Sequence, residues 1–75
     1  MSQRSKLAKE IHILEEEIKI LEIKRSRSQA SLIEALISRK EPDPTDMEFF
    51  RMFSAEIDVK RDNLQVMTRQ LEKLL

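Results

Sequence analysis

The chain has no glycine, cysteine, tryptophan or tyrosine, only two prolines and three phenylalanines, and no net charge. Each lack removes a class of function. Without cysteine there are no disulfides, no thiol nucleophile and no cysteine-based structural zinc site. Without glycine none of the phosphate-cradling glycine-rich loops can be written into it. The 14 basic side chains are matched by 14 acidic ones, whereas a dedicated nucleic-acid binder carries a clear basic excess. Apolar runs are too short for a membrane span, so no membrane insertion is expected, and Met1-Ser2-Gln3-Arg4-Ser5-Lys6 is not followed by the apolar core of a secretory signal. The expected location is intracellular, in cytoplasm or nucleus.

What is present favours helix. The 75 residues are 37% charged and 40% apolar, rich in Glu, Lys, Leu, Arg and Ile, in amounts that suit long amphipathic helices. The one strong break is Glu41-Pro42-Asp43-Pro44-Thr45-Asp46. Each proline pushes the residue before it out of helical geometry. Thr45 then reads as an N-cap with Glu48 completing a capping box, Asp46 sits at the positive pole of the new helix, and Arg39 and Lys40 at the negative pole of the old one. The expected organisation is a single all-α domain: helix 3–40, a proline-containing turn 41–45, and helix 46–74. So short a connection makes the helices antiparallel neighbours in a coiled-coil hairpin.

The apolar pattern has a heptad period. Leu7, Ile11, Leu14, Ile18 and Leu21 alternate steps of four and three, with Ile11 and Ile18 at a and the leucines at d. Arg25 and Ser28 continue the register as polar members, followed by Leu32 and Ala35, while Ile33 and Leu36 draw the face sideways as a stutter would. The second helix gives Phe50, Phe53, Ile57, Lys60, Leu64, Met67, Leu71 and Leu74, interrupted only by Lys60. The predicted seam therefore comprises Leu7, Ile11, Leu14, Ile18, Leu21, Leu32, Leu36, Phe50, Phe53, Ile57, Leu64, Met67, Leu71 and Leu74. Folding at the prolines pairs residues whose numbers sum to roughly 87, which sets Arg25 and Ser28 opposite Lys60 as one polar layer. Such a layer costs stability and holds register, with the charged heads reaching Asp58, Asp62 or solvent.

A second apolar row lies where a coiled coil normally meets water. Ile13 and Ile20 occupy c in the first helix; Met52, Val59 and Val66 occupy c in the second, with Phe49 beside them. Rows at heptad spacing on both helices predict a face covered by something, and short chains commonly reach stability by association. The expected partner is the chain itself, as a homodimer or larger four-helix assembly; the alternative is a heterologous helix held in a groove. Phe49 and Met52 are soft, bulky anchors suited to either.

No catalytic set can be assembled, and no enzyme activity, cofactor, metal or small-molecule ligand is expected. His12 is the only histidine; Glu15, Glu16 and Glu17 diverge around a helix instead of converging. The densest basic stretch, Lys24-Arg25-Ser26-Arg27-Ser28, offers an acidic-partner contact or phosphorylation at Ser26 or Ser28, but zero net charge weighs against nucleic acid. With two long helices and a short turn, the chain resembles effector fingers of Rho-type GTPases, small type III secretion chaperones and Rop-like dimers. The resemblance implies an adaptor, chaperone or scaffold role and carries over no residue. The in-register Leu71-Glu72-Lys73-Leu74-Leu75 end suggests a piece of a longer coiled-coil protein.

Overall fold

A computed structural model describes residues 2–75. Helix α1 runs Gln3–Ile37 and helix α2 runs Pro44–Leu74, and they pack along each other as a helical hairpin. The molecule is a rod of 55 × 16 × 15 Å.

Local chemistry sets the ends of the helices. Ser2, in extended geometry, caps α1: the Ser5 amide donates to Ser2 Oγ at 3.1 Å, satisfying one of the otherwise unpaired donors of the first turn. At the far end α1 stops at Ile37, short of the expected Lys40, because Arg39 turns into the left-handed region (φ 56°). The Lys40 amide then donates to Ala35 O at 2.8 Å and the Arg39 amide to Leu36 O at 3.2 Å. These two bonds form a Schellman closure, a device in which glycine usually takes the left-handed position. This chain has no glycine to offer, so an arginine accepts the steric cost of a Cβ there. Arg39 and Lys40 thus lie past the helix end, not within its last turn.

Helix α2 begins earlier than the sequence pattern suggested. Asp43, not Thr45, is the N-cap: its side chain accepts the Thr45 amide at 2.8 Å, and Pro44 takes the first helical position. Proline is suited to that place because its missing N–H is one the helix cannot satisfy anyway. Thr45 is consequently inside the helix. Glu48 does not reach back as a capping-box partner; its nearest charge is Arg51, at 3.6 Å one turn ahead. Asp46 does supply negative charge to the first turn.

Coverage is greatest at the a and d positions and concentrated midway along the rod. Ile57 is wholly buried, Ile18 and Leu21 nearly so, and among the described residues Ser28 is the one buried polar side chain. Leu7, Ile11, Leu14, Arg25, Leu32 and Ala35 on α1, and Phe50, Phe53, Lys60, Leu64, Met67 and Leu71 on α2, are half-buried. The register on α1 passes through Ala35 without a stutter. Leu36 therefore falls outside the seam and is 67% exposed. Leu74, at the open end, is also exposed.

The pairing of the helices differs from the expectation by roughly one heptad. Lys60 Nζ meets Glu17 Oε2 at 2.6 Å and Arg61 meets Glu22 at 3.1 Å. At the open end, Leu7 and Glu10 share a groove with Gln70 and Leu74; near the loop, Leu32 shares one with Met47 and Phe50. Sliding one helix by seven residues brings a onto a and d onto d again, so the apolar pattern is equally satisfied by both pairings. The Schellman turn decides between them. It reverses the chain at Arg39, ahead of the prolines, and so moves the fold point toward the N-terminus.

Candidate association surfaces

The shifted pairing dissolves the single polar layer. Lys60 stands level with Glu17 and Leu21, away from Arg25 and Ser28, and its ammonium reaches Glu17 instead of Asp58 or Asp62. Its stem remains half-buried in the seam while the head is drawn to the flank. Ser28 satisfies its hydroxyl within α1, donating to Lys24 O at 3.4 Å, a long and weak bond. Among the described residues no buried side-chain nitrogen or oxygen lacks a partner.

The hairpin has two long sides, distinguished by which residues cross the seam. On one, Arg61 meets Glu22, and Ser54 and Arg51 line a shallow groove with Met47. On the other, Lys60 meets Glu17, and at the open end Lys6 of α1 and Lys73 of α2 line the same groove. Lys6 and Lys73 are c positions, so the c rows of both helices share this second side. Ile13 (48% exposed) and Ile20 (54%) come from α1, and Met52 (44%), Val59 (60%) and Val66 (52%) from α2. Val59 also borders a shallow concavity with Ala55, Glu56, Lys60 and Asn63.

Phe49 belongs to the same side. It is 43% exposed and its ring stacks on that of Phe53, centroids 5.8 Å apart and planes 11° from parallel. Phe53 is half-buried in the seam, so the stack joins the surface row to the interior. A separate apolar group surrounds the loop end: Ile33, Leu36, Ile37 and Met47 are exposed there, Ile37 the most at 78%.

The remaining sequence candidates are dispersed. His12 and the run Glu15, Glu16 and Glu17 are exposed, Glu16 holding Lys19 at 3.3 Å and Glu17 holding Lys60. Among the described residues no group of three His, Cys, Asp or Glu is placed to hold a metal ion. The basic stretch is split by the helix: Arg25 turns into the seam and Ser28 is buried, whereas Lys24, Ser26 and Arg27 are exposed. Ser26 and Arg27 border an open groove with Lys19, Glu22 and Ile23. Neither helix is long and apolar enough to cross a membrane.

Glu22 was not singled out from sequence, and Glu17 entered only as a member of the solvated run Glu15, Glu16 and Glu17. Both sit beside the seam, where acidic residues meet basic ones of the facing helix, but naming their partners required the correct pairing. Against protein-family models, curated proteins and solved structures, the chain matches none.

Proposed function

We propose that the hairpin is a non-enzymatic protein–protein association module, a coiled-coil scaffold element whose first partner is a second copy of itself. The observation that carries this reading is the surplus of exposed surface. The chain exposes 6049 Å², against roughly 4,800 Å² typical of a folded monomer of 8.9 kDa. Among the described residues only Ile18, Leu21 and Ile57 form a truly buried apolar core, while a row of branched and bulky apolar residues lines one side. A surplus of about 1,200 Å² exceeds the ~800 Å² each partner gives to a standard interface. Hydrophobic transfer rewards covering such a row, and two hairpins laid face to face form a four-helix bundle.

Light scattering behind size exclusion, repeated over a hundredfold dilution, tests the reading. The expected result is twice the chain mass or a higher multiple, reduced to a helical monomer by Ile20→Glu or Val59→Glu. A stable monomer indifferent to both changes would overturn it.

The second reading is an adaptor hairpin that holds a heterologous helix on the same side. Phe49 and Met52, exposed and adaptable, favour it. That reading expects a monomer of marginal stability that gains helical order only with its partner.

A further inference from the structure

We infer that the second copy lies on the side bearing Ile20 and Val59 in a level arrangement, loop end beside loop end, so that α1 of each hairpin covers α2 of the other. The inference rests on the self-association proposed above and adds the occupant's orientation and register. Because Glu17 meets Lys60 and Glu22 meets Arg61, Ile20 and Val59 stand at one level of the rod. Ile13 and Val66 stand together about one heptad nearer the open end. A two-fold axis along the rod then sets Ile20 against the partner's Val59 and Ile13 against the partner's Val66. Met52 and Phe49 come to lie over the aliphatic stem of Arg27 and beside the small Ser31 on the partner's α1, so the row runs under the partner along its length.

Charge is compatible with the same arrangement. Lys24 and Glu56 share a level on this side, and neither is engaged in an ion pair within the described hairpin. In the level dimer Lys24 faces the partner's Glu56 and Glu56 the partner's Lys24, two attractive pairs flanking the apolar levels. The reversed arrangement, loop end beside open end, also superposes the two apolar levels, but only with its axis passing between them at Glu17. That sets two Glu17–Lys60 pairs, already satisfied within each hairpin, side by side at the centre of the interface. It also places Met52 and Phe49 near the lysines of the open end, leaving that apolar area poorly matched. The level arrangement overlaps the full 55 Å of the rod, 16 Å across. That footprint is about 900 Å², the size of one partner's share of a standard interface.

The absence of cysteine makes the test direct. Single-cysteine proteins Ile20→Cys and Val59→Cys are mixed in equal amounts, allowed to exchange, and treated with a short thiol–thiol cross-linker. Ile13→Cys with Ile20→Cys is run in parallel. Light scattering on each untreated mixture reports whether association persists. The expected result is a dimeric mass and a yield of Ile20–Val59 cross-linked pairs at least tenfold above Ile13–Ile20 pairs. A dimer in which Ile13–Ile20 pairs equal or exceed Ile20–Val59 pairs overturns the level arrangement while leaving self-association standing. A monomeric mass with neither product overturns both.

Discussion

The two long sides of the hairpin are built by the same two helices yet have opposite characters. On the side where Arg61 meets Glu22, the outward positions along most of the rod are His12, Lys19, Ser26, Asp58, Gln65 and Glu72, all exposed and polar. On the side where Lys60 meets Glu17, the corresponding positions include Ile13, Ile20, Met52, Val59 and Val66, with Lys6, Arg27, Glu34 and Lys73 as the polar members. A helix repeats its faces every 3.6 residues, so neighbours in sequence such as Gln65 and Val66 diverge around the axis. The contrast teaches that the apolar surplus is directional. Away from the loop end, where Ile33, Leu36 and Met47 are exposed on the first side, the heptad-spaced apolar row is confined to the second.

The largest effect belongs to the residue on which both sides depend. Ile57 is fully buried, and Ile57→Ala should cost about 2–5 kcal/mol, read by urea unfolding at fixed protein concentration. So large a loss from so small a core should leave little folded protein. Next comes a test of the seam against a side. Ser28 is 7% exposed, so Ser28→Asp forces a charge into the contact and should cost roughly 3 kcal/mol. Ser26→Asp, two residues away and exposed, should stay within about 0.5 kcal/mol. Thermal melts of the pair at matched concentration would expose any error, since equal losses would mean that Ser28 is not held in the seam.

The sides themselves are compared by adjacent substitutions. Val66→Glu should weaken self-association about 10–100-fold, equivalent to roughly 1.4–2.8 kcal/mol, and Gln65→Glu should leave it unchanged within error. Sedimentation equilibrium at several concentrations measures both; equal weakening would show that the apolar side is not the interface. At the loop, which serves both sides alike, Arg39→Gly relieves the left-handed strain and should add up to about 1 kcal/mol of stability. Smallest is the polar side's own cross-helix pair. Glu22→Ala removes an exposed contact and should cost less than about 1 kcal/mol, a loss that shrinks further in high salt.

Much of this architecture was legible in the residues. The break at Pro42 and Pro44, the a and d positions from Leu7 to Leu71, and the second row through Ile20 and Val59 all follow from spacing and need no partner atoms. What was not legible has identifiable causes. Leu36 looked like a seam residue because it is more apolar than Ala35, but an unbroken heptad selects position over hydrophobicity and leaves Leu36 in water. Thr45 looked like the cap because it precedes a glutamate at the right spacing, yet Asp43 before Pro44 takes the role. The stop at Ile37 rests on a left-handed arginine, and an arginine carries no sequence signal for that conformation.

The pairing of the helices is the clearest case. Heptad periodicity determines which stripe of each helix is apolar, because side-chain direction follows from residue number alone. It is silent on which heptad meets which, since a slide of seven residues restores the same pattern. Only the tertiary structure decides that, through the Schellman turn at Arg39, and with it the joining of Lys60 to Glu17 and the levelling of Ile20 with Val59.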